Sequence, residues 1–418
     1  MSKSEQDLRL EAIGRRLSGE SRIAICRDLH RSESWFDKWW AEFRANPGSD
    51  LADHSRARLK VASVVSPELE AMVIGLRQSF ETAKYGFIGA RAIWGRLLDL
   101  KVEPLPSEST IQRVLARHSL THPLGAGAEG AYYPWLVAWE ANAIQATDII
   151  TRHLKGGLEI QNFHTMDWFT HAAYLSQHLD KTTDTACAHL LKSWENLGIP
   201  WIHQFDNEGS FCGGHTHPNV IGRMVRLCLW CGVEAIFTPV YEPKRNHQIE
   251  TFHGLWCTGC WNRQTFSDLA HVVAEVPNFT HLYHHQYRPP SLNGKTPAQM
   301  RYGLKLHKLT PDLRRHIPDL SQRLPLTKGR FHIMRKVDSS GQVRFLNQSW
   351  LVGSKWIGQY VRATIHTAHK SLSLFHKPSD LDHWRLIEQY PFPIDEPVRD
   401  LLPPFRRNPP RCADCLPG

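Results

Sequence analysis

AIQATDII, residues 143–150, is an apolar run with a single acid inside it. Eight positions rich in small and branched apolar residues predict a strand. Asp148 within it is a charge placed where charge is costly unless something uses it. Moving outward, Ile160 to Trp168 and Thr170 to His178 read as two more strands. A helix follows with Ala186, Leu190, Trp194 and Leu197 on one face, then a short apolar strand, Trp201 to Phe205. Next come a helix near Val220 to Cys231, a strand from Val233 to Thr238, and helices after Asn246. Three strands, then helix, strand, helix, strand, helix, is the order of a ribonuclease-H-like α/β domain, one mixed sheet covered by helices.

Two further acids fall at telling places in that order. Asp206, in HQFDNEGSF (203–211), ends the fourth strand, and Glu250, in PKRNHQIETFHG (243–254), opens the helix after the fifth. Phosphodiester cleavage and transfer by two metals needs carboxylates that converge on an ion pair, and hard oxygen ligands suit Mg²⁺. A lone Asp at a strand end is ordinarily a cap or turn residue, and a lone Glu in a helix is ordinarily solvated. The joint placement on strand one, strand four and the helix after strand five has little such explanation. Asp167, in TMDWFTHAAY, is a rival for the first position, ranked second because the second strand offers it an edge or loop role.

The first fifty residues read as helices. Leu10, Ile13 and Leu17 recur at helical spacing, a second helix carries Ile25, Cys26 and Leu29, and Ser32 is placed to cap a third with Phe36 and Trp39 inward. Short helix, tight turn and capped helix make a helix-turn-helix pattern, which would point Glu33, Ser34, Asp37 and Lys38 toward a major groove; a small bundle without a DNA role is the plain alternative. The pattern repeats after Asn46-Pro47-Gly48. A helix with Ile93 and Leu97 leads to Ser107 or Ser109 as cap of a helix with Ile111, Val114 and Leu115 inward and Gln112, Arg113 and Arg117 outward.

Beyond the core, Arg330 to Val337, Val343 to Leu346, Gln359 to Ile365 and Ser371 to His376 read as short strands, with Ser339-Ser340-Gly341 as a hairpin turn. They suggest a small β-barrel. The stretch from Arg301 to Tyr360 holds 12 Lys or Arg against three Asp, and the whole chain is +9. Such charge suits DNA phosphates, though it is equally what a solvated face carries. Nine cysteines in 418 residues argue against a secreted disulfide framework. Cys228/Cys231 and Cys257/Cys260 have zinc spacing, yet helical cysteines three apart more often share an apolar face. No signal peptide or membrane span is legible, so a cytoplasmic, nucleoid-associated protein is expected.

QATDII, FDNEGSF (205–211) and PKRNHQIE (243–250) resemble the three signatures of bacterial insertion-sequence DDE transposases with a retroviral-integrase-type core. YRPPSLNGKTPAQMRYG (287–303) and VDSSGQVRFLNQSWLVG (337–353) fit the same pattern. The resemblance implies a ribonuclease-H-like fold and Asp148, Asp206 and Glu250 as catalytic ligands of two Mg²⁺ ions, with Mn²⁺ able to substitute. It also implies Asn207 and Asn246 as support. Two departures stand out: His247 where the family generally has Gly, and an insertion within Phe211 to Gly222 that holds His215 and His217.

The expected layout is multidomain. Helix-turn-helix domains would occupy 1–60 and 61–122, and a linker 123–138. The integrase catalytic domain would span 139–305, a small β-barrel 306–390 and a flexible tail 391–418. The expected partner is double-stranded DNA, both element ends and target, bound by a homo-oligomer and not by way of a membrane. Ser34, Lys38, Gln112, Arg113, Arg117, Lys244 and Arg245 are the expected DNA contacts. The activity expected is binding of terminal inverted repeats, hydrolysis of 3′ ends and joining to target DNA. The rivals are a DNA-binding regulator derived from an inactive transposase and a structure-specific nuclease.

Overall fold

The computed structural model describes residues 4–53, 65–121, 131–212 and 218–408, with 243 and 244 described by backbone only. His215, His217 and a third Cys-x-x-Cys pair, Cys412/Cys415, therefore lie outside the described residues. The chain groups into two compact units, Met1–Ser66 and Pro67–Gly418.

The first unit holds three helices: α1 (Glu5–Leu17), α2 (Arg22–Asp28) and α3 (Glu33–Ala45). Each starts at a serine whose hydroxyl accepts a backbone N–H of the first turn: Ser4 from Asp7, Ser21 from Ala24 and Ser32 from Trp35. Ala12, Ile25, Cys26 and Phe36 pack together, and Ile13, Trp39 and Leu51 form a neighbouring cluster. Leu10 and Leu17, expected to share the inward face with Ile13, are instead exposed. The face turned inward is that of Ala12 and Ile13.

The second unit begins with α4 (Pro67–Thr82), α5 (Ala90–Asp99) and α6 (Glu108–Arg117), the last capped by Ser107. Ile93, Leu97, Ile111, Val114 and Leu115 are buried between them. These helices are not a free-standing domain. Arg91 Nε donates to the Arg288 carbonyl at 2.6 Å, Arg263 Nη1 to the Phe80 carbonyl at 2.6 Å, and Phe87 packs with Phe279 and Tyr283. The expected linker is likewise drawn in: Tyr133 is buried with Ile144 and Tyr360.

The core sheet is built from β1 (Ile144–His153), β2 (Glu159–Asp167), β3 (Ala173–His178), β4 (Ile202–Phe205) and β5 (Glu234–Phe237). β1 and β2 pair antiparallel with Asp148 opposite His164; β4 and β5 run parallel to β1. This is the mixed sheet the strand order predicts. α7 (Thr183–Leu197), α8 (Gly209–Cys212) and α9 (Arg223–Trp230) come from its crossovers. Leu190, Trp194, Leu227 and Cys228 pack against Phe163 and Phe205 on one face. α10 (His247–Gly259) and α11 (Leu269–Gln286) supply Phe252, Trp256, Phe279 and Tyr283 to a separate cluster with Ile160 and Met166. Strand alternation sets Asp148 on the side of Ile144 and Ala146, which pack with Ile249 of α10.

The C-terminal part departs from expectation. Its strands are β6 (Leu326–Thr327), β7 (Arg330–Lys336), β8 (Gln342–Phe345), β9 (Gln348–Leu351), β10 (Tyr360–His366), β11 (Ser371–His376), β12 (Arg385–Pro391) and β13 (Val398–Arg399). They do not form a separate small barrel. β7 pairs parallel with β5, Ala235 opposite Phe331, and the order across one nine-stranded sheet is β12-β11-β10-β7-β5-β4-β1-β2-β3. Without β7, the outer edge of β5 would be left with unpaired N–H and C=O groups. The turn at 338–341 forms as expected, with Asp338 accepting the Ser340 and Gln342 amides at 2.9 Å, but β8 pairs with β9.

Residues 391–408 are not a loose tail either. Phe392, Ile394 and Phe405 are buried in the main cluster, and Arg407 donates to the carbonyls of Ile199, Pro200 and Gly232. Among the described residues no helix is long and apolar enough to cross a membrane.

Candidate active site

Asp148, Asp206 and Glu250 line one cavity of about 570 Å³. They reach it from mid-strand β1, from the residue after β4, and from the first turn of α10. The parallel arrangement of β1, β4 and β5 makes this convergence possible, since ligands of open α/β sheets gather at the carboxyl ends of parallel strands.

The donors around these carboxylates are few. Asp148 accepts the Ile149 amide at 2.8 Å, and His253 Nδ1 stands 4.0 Å from its other oxygen. Burial, then the charges of Asp206, Glu250 and Glu208, push the Asp148 carboxyl up to about 7. Its side chain still keeps 18% exposure, enough for a ligand to reach. Asp206 accepts the Glu208 amide at 3.0 Å, and burial raises it too. Glu250 sits where a helix N-terminus favours negative charge.

The two asparagines do structural tasks beside the acids. Asn207 Nδ2 donates to the Thr238 carbonyl at 2.7 Å and its Oδ1 accepts from Arg335 at 2.8 Å. Asn246 is buried and accepts from Gln204 at 3.0 Å, while its Nδ2 has no hydrogen-bond partner. His247, at the expected glycine position, has ordinary helical angles (φ −54°, ψ −30°), so the backbone there does not call for glycine. Its ring packs edge-on to Trp135, centroids 4.9 Å apart.

Asp167, the rival first acid, does not line this cavity. It is fully buried and accepts from the Asn142 amide at 2.9 Å, the Thr170 amide at 3.2 Å and the Thr170 hydroxyl, with Arg301 at 3.8 Å. The two Cys-x-x-Cys pairs also stay apart. Cys228 and Cys231 belong to the main core cluster, and Cys257 and Cys260 to the cluster beneath α10.

The expected DNA contacts fare unevenly. Ser34 and Lys38 are exposed on α3, but neighbouring Glu33 and Asp37 are both paired with Arg22. Gln112, Arg113 and Arg117 are exposed on α6; Arg113 donates to the Ser109 carbonyl and Arg117 lies 3.4 Å from Glu70. Arg245 is turned inward, a correction to its expected role. Its Nε donates to Glu242 at 2.8 Å, Nη2 to the Tyr360 hydroxyl at 2.9 Å, and its guanidinium lies 4.4 Å over the Tyr133 ring. Aromatic faces and a carboxylate satisfy the cation better than an open surface would. The Lys244 side chain lies outside the described residues.

Residues 231–297, which run from the end of α9 past α11 and include Glu250, match the family model described as integrase core domain. The match to that family is confined to this stretch. Among curated proteins none matches the chain. Of solved structures, the magnesium complex of the HTLV-2 integrase catalytic core domain in its dimeric form is similar at 17% identity. It covers 40% of this chain and all of its own, with a TM-score of 0.29. The simian T-cell lymphotropic virus intasome in complex with PP2A regulatory subunit B56 gamma is similar at 16% identity. That match covers 72% of this chain and 96% of its own, with a TM-score of 0.34. Sequence reasoning missed Arg335, Tyr360 and Tyr133, which surround the segments next to Asp206 and Glu250. Nothing in their local pattern sets them apart from neighbouring basic and aromatic residues.

Proposed function

We propose that this chain is a transposase that binds the terminal repeats of its element, hydrolyses the 3′ ends and joins them to target DNA. The observation that carries the reading is the convergence of Asp148, Asp206 and Glu250 on one cavity, with Glu250 inside the stretch that matches the integrase core domain model. Asp148 and Asp206 are acids raised by burial, and Asp148 is raised further by the other acidic charges of the site; such a cluster is relieved by a cation.

The donor set fits Mg²⁺. All three groups offer hard oxygens, and each opens on space that solvent or substrate can fill. Among the described residues no three acidic, His or Cys side chains are gathered tightly enough to hold one ion. Asp148, Asp206 and Glu250 would hold two such ions, which when bound supply the Lewis acidity that phosphodiester cleavage and transfer require. The protein's own part is placement. β1 and β4 fix Asp148 and Asp206 on neighbouring strands, and the α10 N-terminus fixes Glu250.

The exposed faces of α3 and α6 are the candidate readers of base edges, with Ser34, Lys38, Gln112 and Arg113 in that role. Two DNA ends must be handled together, so we expect a homo-oligomer on DNA. A strand-transfer assay with flanking genomic DNA as donor tests the reading. Joined products with Mg²⁺ that vanish in Asp148→Asn support it. Cleavage without joining would turn the protein into a nuclease, and repeat binding without either would turn it into a regulator.

A further inference from the structure

The loop after the second acid and the approach to the helix of the third are both held by side chains of the C-terminal strands. Arg335 of β7 reaches the loop after β4, where Nη2 donates to Asn207 Oδ1 at 2.8 Å. Its Nη1 donates to the Thr238 carbonyl at 3.0 Å and the Met334 carbonyl at 2.8 Å, and Nε to the Arg344 carbonyl at 3.1 Å. Asn207 donates to the same Thr238 carbonyl, so one guanidinium ties the residue beside Asp206 to the end of β5 and to β8. These oxygens are all uncharged, and burial pulls the Arg335 guanidinium down to about 10. The guanidinium is half-buried and lines the same cavity as the acids, yet four of its bonds go to protein oxygens. The planar fork suits bridging several fixed acceptors at once.

A second grip lies on β10. The Tyr360 hydroxyl donates to Glu242 Oε2 at 2.6 Å and accepts from Arg245 Nη2 at 2.9 Å. Arg245 in turn bonds Glu242 and stacks between Tyr133 and Tyr360. Glu242 and Arg245 belong to the approach to α10, five to eight residues before Glu250.

We infer that Arg335 and Tyr360 are positioning residues of the carboxylate site. Arg335 sets the Asp206 loop and Tyr360 sets the entry to the Glu250 helix, so β7 and β10 complete the site within the same chain. The inference rests on the reading of these carboxylates as the active site. It differs from a merely phosphate-binding C-terminal part, because the polar groups of both side chains are bonded to protein atoms.

The test uses the full chain with Arg335→Met, Arg335→Lys and Tyr360→Phe. Hydrogen exchange of the DNA-free, metal-free protein reads loop order directly, and cleavage kinetics read its use. Arg335→Met should speed exchange over 205–212 and lower kcat about 10–100-fold, with KM for DNA nearly unchanged. Arg335→Lys should recover part of that loss, since one ammonium cannot bridge all the acceptors. Tyr360→Phe keeps the ring and should speed exchange over 241–250 alone, with a loss of about tenfold or less. Unchanged exchange in both loops would overturn the inference, as would a rise in KM with kcat intact, which marks a direct DNA contact. If the wild-type chain neither cuts nor joins DNA, the proposed function falls while the exchange result still decides this one.

Discussion

Two acids sit on one hairpin, and the contrast between them separates chemistry from architecture. Asp148 of β1 lies opposite His164 of β2, and Asp167 ends β2 opposite Gln145. Burial pushes both carboxyls up. At Asp167 the Thr170 hydroxyl, Arg301 and two backbone amides pull back, and no surface is left exposed. At Asp148 one amide pulls back while three other acids push further. A carboxylate whose lone pairs are filled from its own fold holds the fold together. One left underfilled, exposed at one edge and crowded by like charge is arranged for something that arrives later.

The contrast breaks most decisively on activity. Asp148→Asn should lower DNA cleavage by at least about 10³-fold, roughly 4 kcal/mol of barrier, with repeat binding retained in gel-shift titration. Asp167→Asn should leave the folded fraction active. If Asp148→Asn cuts and Asp167→Asn does not, the roles are reversed. On stability the order inverts. Asp167→Ala strands Arg301 and the Thr170 hydroxyl, and should cost about 3 kcal/mol in urea unfolding of the 67–418 unit. Loss of under about 1 kcal/mol would show that the knot is dispensable.

A third test uses pH. Between about pH 4 and 7 the folded Asp148 keeps a proton that the unfolded chain has released. The folded state then binds more protons, so stability falls as pH rises through that window. Metal-free Asp148→Asn should therefore be more stable than wild type at pH 8, by up to about 4 kcal/mol, and equal to it at pH 4. Adding Mg²⁺ at pH 8 should stabilise wild type and not the variant. Equal stability at both pH values would remove the crowding argument. The smallest effect is at Thr170→Val, which deletes one hydroxyl donor to Asp167. It should cost about 1.5 kcal/mol in the same urea experiment and leave cleavage at the wild-type rate.

The strands and the acids were legible because they are local. An apolar run interrupted by one acid marks β1, and the order of strands and helices places Asp206 and Glu250 at the same end of the sheet. What stayed hidden depends on partners distant in sequence. Four C-terminal strands were readable as strands, but their pattern does not say that β7 would seek the bare edge of β5 in place of closing on itself. Arg245 looks like any loop cation until Tyr133 and Tyr360 are brought around it. Arg335 is one of twelve cations in its stretch, and only its acceptors distinguish it.

The parallel pairing of β5 with β7 also has a bearing on biosynthesis. Ala235 waits for Phe331, roughly a hundred residues later, so at ordinary translation speed about 5–20 s pass before the pair can form. During that interval the nascent sheet carries an open edge, the kind of surface that chaperones cover and that aggregates when they do not. Arg335 emerges from the ribosome in the same moment as the strand that closes the sheet. A polypeptide cut short before β7 would hold all three acids and still lack both grips on their loops, so premature termination or frameshift would release a dormant protein.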